Sequence, residues 1–253
     1  MTTLDQAAVT RLTAALVSRA GGYLRNPVRQ PRVTCTVCTT PVDGYQYCFR
    51  CNGHRSYAGL ADATAFLTYA VAGLQSGYVM RGYKAQRPVN EHVSIVAMMM
   101  LLALSRHEHC PSILAGMAVT HWSTVPSLPA KPGEHPLHRI VSGVNPGIEV
   151  RLVPAANVQH PRDVSPGHFS ANERLPQGSH VLLVDDTWAG GGHAQSAALA
   201  LHQAGARRVS LLVAARWIKE DFSGNADFLR RLSGRDYDPA ICPWTGGDCP
   251  RRP

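Results

Sequence analysis

The sequence predicts an α/β fold in which a parallel sheet is preceded by a small metal-clamped module, and three observations carry this. The apolar run Val181-Leu182-Leu183-Val184 leads into Asp185-Asp186, a glycine-rich turn, a helix-patterned stretch from His193 to Ala204, Gly205 as its stop, and a second apolar run from Val209 to Ala215. Strand, helix and strand joined in this way form a βαβ unit, whose strands lie parallel. The segment Glu91 to Arg106 is almost continuously apolar, as suits a helix packed on a sheet, with Asn90 as its cap. Ahead of both, two Cys-x-x-Cys pairs mark a short segment too small to build a core of its own.

The remaining elements follow from local pattern. Leu4, Ala8, Leu12, Ala15 and Leu16 fall on one face of a helix over residues 3 to 18, with Thr3 as N-cap and Gly21-Gly22 as the stop. Asn26 to Pro41 is too rich in Pro, Thr and Cys for a helix and opens a compact module ending near His54. Ala65 to Val71 and Tyr78 to Tyr83 read as strands around a turn at Gly73 to Gly77. Ala115 to Val125 and Glu149 to Val153 also read as strands, with a short helix near Leu137 to Ser142. Ala155 to His180 is a 26-residue stretch without periodicity, and loops beyond about 15 residues in compact domains are usually lids or disorder. The boundary between the N-terminal helix with its cysteine module and the α/β domain is expected at 58/59.

The chain has 253 residues, 45% hydrophobic and 17% charged, which excludes a disordered chain and a disulfide-stapled miniprotein. Its longest apolar run, Val93 to Leu104, contains Ser94 and falls well short of the roughly 20 residues of a membrane span. The first residues carry neither the basic nor the apolar region of a secretory signal, so a cytoplasmic location without membrane contact is expected. Of the net charge of +8, residues 1–58 hold +5, from seven arginines against two acids. Basic surface of this kind suits phosphate-rich partners, either nucleic acid or a polyphosphate metabolite, and equally an ordinary solvated face.

Cys35-x-x-Cys38 and Cys48-x-x-Cys51, nine residues apart, let two tight knuckles aim four thiolates at one ion. Four such ligands suit tetrahedral zinc and leave no open position, which makes the expected zinc structural rather than catalytic. Cys242 and Cys249, six residues apart in a Pro- and Gly-rich segment, either bind a second metal or cap the C-terminal region. Cys110 reads as a small apolar core residue.

The acid pair Asp185-Asp186 arrives at the C-terminal end of a buried strand, where parallel sheets bind ligands. The following residues, Thr187, Trp188, Ala189, Gly190, Gly191, Gly192 and His193, form a turn into a helix. Glycines free its backbone to direct N–H groups at an anion, with the helix N-terminus behind them. Carboxylates beside a bound phosphate would take hydrogen bonds from vicinal hydroxyls, as on a ribose.

This strand, acid pair and turn resemble the phosphoribosyl pyrophosphate (PRPP) motif of type I phosphoribosyltransferases. The preceding cysteine module makes the chain similar to the ComF-like (competence-protein) members, often called amidophosphoribosyltransferase-like. The resemblance implies the type I phosphoribosyltransferase fold behind a zinc ribbon. It also implies that Asp185 and Asp186 hold the ribose 2′ and 3′ hydroxyls while residues 187 to 193 wrap the 5′-phosphate. Val125 to Leu137 corresponds to the family's pyrophosphate loop, with Lys131 as a catalytic residue and the Gly133 amide as a contact. Residues 155 to 180 correspond to its closing loop, Gln159, Arg162 and Phe169 echo a family pattern, and Tyr83-Lys84 resembles a Tyr-Lys pair. The implied activity is transfer of 5-phosphoribosyl from PRPP, with Mg²⁺, to an unidentified acceptor.

The turn departs from the family's hydroxyl-rich Thr-Thr-Gly form, leaving backbone amides and His193 as donors. No Gly-x-x-x-x-Gly-Lys-Ser/Thr string occurs, which excludes a P-loop. Asp186 as a plain helix cap and a phosphoacceptor receiver domain are lesser readings of the same acids. A glutaminase partner activity is not expected, since Thr2 follows Met1 where that chemistry needs an N-terminal cysteine. A reading from another class is a non-catalytic PRPP sensor or a nucleic-acid-binding protein that uses the basic ribbon. Oligomerisation is left open.

Overall fold

The computed structural model describes residues 4–144, 147–222 and 224–251. Its elements in chain order are α1 (Gln6–Ala20), α2 (Phe49–His54), β1 (Ala63–Val71), α3 (Gln75–Gly82), α4 (Asn90–Arg106), α5 (Cys110–Ala115), β2 (His121–Thr124) and α6 (Pro136–Val141). There follow β3 (Ile148–Glu149), β4 (Leu152–Pro154), β5 (Phe169–Ala171), β6 (His180–Trp188), α7 (Gly192–Gln203), β7 (Arg208–Ile218) and α8 (Asn225–Leu232). A five-stranded sheet runs β1-β7-β6-β2-β3, and every pairing in it is parallel. β4 and β5 form a separate antiparallel pair.

Both faces of the sheet are covered, as strands buried on two sides require. Alternation along β6 and β7 sends Leu182, Val184, Leu212 and Ala214 into one apolar cluster with Leu16 of α1, Met80 of α3 and Ile95, Met99 and Leu102 of α4. Val181, Leu183, Leu211 and Val213 point the other way, into a cluster with Ala197 and Leu201 of α7 and with Cys35, Cys38 and Cys51. The cysteine module thus shares an apolar core with the sheet. α1 is capped by Asp5, whose carboxylate accepts from the Ala8 amide at 2.5 Å, and ends at Gly21. Thr3, the expected cap, lies outside the described residues.

Several elements differ from the sequence reading. Tyr78 to Gly82 belongs to helix α3, with Tyr83 as its C-cap, because Ser76, Gly77, Val79, Met80 and Tyr83 are buried at a helical spacing that the β-branched and aromatic content conceals. The expected strand from Ala115 shrinks to His121–Thr124, since α5 occupies the residues before it and ends at Gly116 in the left-handed region, φ 62°. Glu149 to Val153 divides between β3 on the main sheet and β4 on the small one. β6 is longer than its apolar run and carries both acids within it, because β7 continues alongside to Arg216 whereas β2 stops opposite Val184.

β1 and β7 are pinned at their starts by Asp62. Its carboxylate accepts from Arg208 Nη1 at 2.7 Å and from the Val209 amide at 2.8 Å, with His202 Nε2 3.4 Å away. Burial alone would raise this carboxyl, but His202, the Val209 amide and Arg208 outweigh it and bring it down to about 2. A carboxyl depressed by folding stabilises the protein above its ordinary pKa and loses that contribution as pH falls toward the folded value. Asp62→Asn is therefore expected to cost about 2 kcal/mol at pH 7. The difference from the parent should shrink between pH 4 and pH 2 in chemical denaturation, and a constant difference across that window would refute the linkage.

Candidate active site

β6 lies between β7 and β2, and the connections leaving these strands diverge: β6 passes through α7 to β7 on one side, β2 through α6 to β3 on the other. The crevice at such a switch point, outside the C-terminal strand ends, is where open α/β sheets place ligands. Asp185 and Asp186 stand there, one and two residues beyond the last β2 pairing, and alternation turns them to opposite faces.

Asp186 is buried on the α3–α4 side and its Oδ2 is closely held. Tyr83 donates its hydroxyl at 2.5 Å, Lys84 its ammonium at 2.6 Å, and His135 Nε2 approaches to 3.6 Å. Burial alone would raise this carboxyl, but the Lys84 charge and the hydrogen bonds from Lys84 and Tyr83, with the His135 imidazole close by, hold it below its ordinary value. The Tyr83 hydroxyl moves the opposite way, raised by burial and by the carboxylate beside it. His135 caps α6 by accepting the Leu137 amide on Nδ1 at 3.2 Å, which leaves Nε2 as the protonated nitrogen facing Asp186. Asp185 accepts the Asp186 amide on Oδ1 at 2.8 Å and has no cation of its own in contact. Burial, then the neighbouring Asp186 charge, raises it to about 8. Asp186 Oδ1 and Asp185 Oδ2 carry no hydrogen bond among the described residues.

The turn after Trp188 is shaped from beneath by Arg216, a buried guanidinium of β7. Its Nη1 donates to the carbonyls of Trp188 at 3.0 Å and Ala189 at 3.1 Å and also to Trp217, and its Nε donates to the Cys38 carbonyl at 3.0 Å. In a trans peptide the N–H points opposite to the C=O. Carbonyls of 188 and 189 drawn toward Arg216 therefore turn the Ala189 and Gly190 amides the other way, and no acceptor takes the amides of Ala189, Gly190 or Gly191 among the described residues. Gly191 adopts φ 89° over the buried Trp188 indole, where a Cβ would lie 2.2 Å from the ring, so of Trp188 only the backbone borders the turn. Thr187 Oγ1 and His193 Nε2, at the two ends of the turn, are buried polar atoms with no partner in hydrogen-bonding geometry among the described residues.

Two neighbours lie against the turn. Arg50 of α2 brings its guanidinium beside Gly190, 3.3 Å from where a Cβ would stand. The Arg162 carbonyl oxygen would meet a Gly192 Cβ at 2.0 Å, so the 160–163 segment rests on the start of α7. The stretch just after it is fastened by Ser196, whose hydroxyl accepts the Ser165 amide at 2.9 Å. Lys131 and Gly133 lie exposed in the loop between β2 and α6, Gly133 at φ 81°, and it is the far end of that loop, His135, that reaches Asp186.

Cys35, Cys38, Cys48 and Cys51 converge with their sulfurs all within 4.8 Å of one another, although the spacing shows only two pairs. The Cys38 and Cys48 sulfurs are 3.7 Å apart, and Cys48 Sγ accepts the Cys51 amide at 3.5 Å. Zinc–sulfur bonds of about 2.3 Å make a tetrahedron with edges of about 3.8 Å, so the donor set fits zinc held by four thiolates. His54, at the end of the module, stays outside the cluster.

The sequence reading brought the acids and the turn together; Lys84 entered it only through resemblance, and His135, Arg50 and Arg216 were missed. A cap histidine after Pro-rich loop residues and an arginine inside an apolar strand were the available signals.

Because Asp185 is raised from its ordinary carboxylate value to about 8, the folded state keeps a proton that the unfolded chain releases, and stability falls as pH rises through that window. Asp185→Asn keeps the acceptor for the Asp186 amide and removes the titration. Its melting temperature should exceed the parent's at pH 8 by a few degrees, corresponding to about 1 kcal/mol or more, with a smaller gain at pH 5. A loss of stability at pH 8 would contradict this.

No protein-family model matches the chain, and comparison with curated proteins finds no match. Among solved structures it is similar to adenine phosphoribosyltransferase from Saccharomyces cerevisiae, with 18% identity over 51% of this chain and 73% of that one at a TM-score of 0.29. Similarity extends to a hypoxanthine phosphoribosyltransferase from Staphylococcus aureus, with 9% identity, 50% and 74% coverage and a TM-score of 0.29. It extends also to a purine phosphoribosyltransferase from Pyrococcus horikoshii, with 11% identity, 49% and 86% coverage and a TM-score of 0.27.

Proposed function

We propose that the chain is a PRPP-dependent phosphoribosyltransferase carrying a structural zinc ribbon. The observation that carries this reading is the juxtaposition, on one strand end, of a buried acid pair with carboxyl oxygens, and a turn with amides at 189–191, that find no hydrogen-bond partner among the described residues. Ribose hydroxyls complete the acids, Asp186 Oδ1 accepting as the anion and Asp185 supplying its outer oxygen. The 5′-phosphate completes the turn through the Ala189 and Gly190 amides, Thr187 Oγ1 and His193 Nε2, with Arg50 as counter-charge. The segment at 160–163 lifts for the phosphate to enter, as a closing loop must.

In the transfer, the C1–pyrophosphate bond breaks, its electron pair leaves with pyrophosphate, and a lone pair of the acceptor forms the new bond to C1. The Asp186 carboxylate near C1 stabilises the oxocarbenium charge that develops between these events. Lys84, one-third exposed while bound to Asp186, and Lys131 neutralise the leaving pyrophosphate. Mg²⁺ enters with PRPP as part of the substrate. Zinc on Cys35, Cys38, Cys48 and Cys51 supplies folding energy, and through the Cys38 carbonyl and Arg216 the ribbon sets the shape of the turn.

A second reading, a nucleic-acid-binding protein, is favoured by the ribbon's surface. Phe49 and Tyr45 are exposed beside Arg50 and Arg55, a pairing of flat rings and cations that suits stacked bases. The two readings part in a calorimetric titration with PRPP and Mg²⁺. The first expects saturable binding, lost at least a hundredfold in the Asp185→Asn, Asp186→Asn double variant and weakened about tenfold in Lys84→Met, with pyrophosphate released on adding an acceptor. No heat with PRPP, together with single-stranded DNA binding that falls steeply with salt and is lost in Phe49→Ala, would establish the second.

A further inference from the structure

The C-terminal segment poses a problem of its own. Residues 233–251 form no helix or strand, yet Tyr237, Cys242 and Trp244 are buried against the sheet and α4. Local hydrogen bonds shape the loop: the Cys242 amide donates to the Gly247 carbonyl at 2.8 Å, the Gly246 amide to the Cys242 carbonyl at 2.8 Å, and Thr245 Oγ1 to the Asp248 carbonyl at 2.6 Å, while Arg25, Asn26 and Arg29 tie the segment to the N-terminal part of the chain. Gly246, at φ 82°, closes this loop and brings Cys249 back toward Cys242.

Opposite it stand His107, the residue that ends α4, and Cys110, the first residue of α5. The donor atoms of His107, Cys110, Cys242 and Cys249 all lie within 4.8 Å of one another. Cys110 and Cys242 have their sulfurs 3.7 Å apart, and His107 Nδ1 is 3.2 Å from Cys249 Sγ. Bonds of about 2.3 Å to sulfur and 2.1 Å to nitrogen give tetrahedral edges of about 3.8 Å between sulfurs and 3.6 Å between nitrogen and sulfur. The other ring nitrogen, His107 Nε2, faces the Pro239 carbonyl at 3.2 Å. An N–H there fixes the tautomer, leaving the Nδ1 lone pair directed at the sulfurs, the orienting bond that metal-bound histidines make.

We infer that His107, Cys110, Cys242 and Cys249 form a second zinc site, a Cys₃His clamp that ties the C-terminal segment to the α4–α5 corner. Three thiolates and an imidazole in a tetrahedral arrangement select zinc, and four protein ligands close the site to substrate. Cys110 is thus a ligand rather than a core filler, and the open alternative at Cys242 and Cys249 resolves to metal. Since β1 and β2 are parallel and α4 lies on the connection between them, the C-terminal end of α4 sits at the N-terminal edge of the strands, away from the acid pair. This clamp is therefore independent of the proposed catalysis. Cys249, the exposed ligand, opens on a cleft lined by Leu4, Val9, Leu104, Arg106 and Glu108, which gives chelators a route to this ion.

The test is zinc content of the purified full-length chain by elemental analysis. Two zinc ions per chain are expected, falling to one in Cys249→Ser, to one in Cys35→Ser, and to none in the double variant. Cobalt substitution of the unmutated chain gives a count that does not depend on any variant folding: two tetrahedral cobalt ions with thiolate charge-transfer bands are expected. One metal per chain that is unchanged by Cys249→Ser, or an unreduced mass two hydrogens lighter from a Cys–Cys bond among these residues, overturns the proposal, as does iron in place of zinc.

Discussion

A carboxylate buried at the end of a central strand is unfavourable by several kcal/mol unless its charge is met inside the protein. At Asp186 it is met by a hydroxyl, an ammonium and an imidazole, and each comes from a different stretch of chain: Tyr83 from the end of α3, Lys84 from the residue after it, His135 from the cap of α6. The α3–α4 corner and the loop leaving β2 are thereby drawn to the switch point of the sheet. Asp185, next in line but turned to the other face, receives no such cation and is raised by burial and by its neighbour's charge. Two adjacent identical side chains thus differ in protonation because the strand's alternation gives them different surroundings.

Arg216 performs the corresponding task for the turn. A buried guanidinium here donates to backbone carbonyls, from Cys38, Trp188, Ala189 and Trp217. Because those carbonyls belong both to the first cysteine knuckle and to the turn, the cysteine module and the turn share one fastening. Arg29 makes a similar link farther away, donating to the Pro243 carbonyl at 3.0 Å and to the Thr64 carbonyl, so the chain ahead of the ribbon also holds the C-terminal loop. Both cysteine clusters gather loop-rich chain, where thiolate ligation can replace the hydrogen bonding of regular structure.

The βαβ unit, helix α4 and the convergence of the first four cysteines were legible in sequence, because each rests on a local period or spacing. Tyr78 to Tyr83 was misread, since a short amphipathic helix of Tyr, Val and Met carries the composition of a strand and its burial period shows only once neighbours are present. The single run Glu149 to Val153 concealed two strands in two sheets, because partner choice is not a property of the run itself. His107 and Cys110 gave no usable signal, being more than 130 residues from Cys242 along the chain.

Sequence by itself determined which segments are helical or extended where the apolar period is long, that two acids precede a glycine turn, and that four cysteines in two knuckles favour one ion. Tertiary structure alone decided which acid is charged, which groups meet it, which way the turn's amides face and which distant side chains gather around Cys242 and Cys249. The physical reason is range. Backbone preference and periodicity act over a few residues and are written locally, whereas desolvation, ion pairing and metal geometry depend on atoms that only the folded chain brings within a few ångströms.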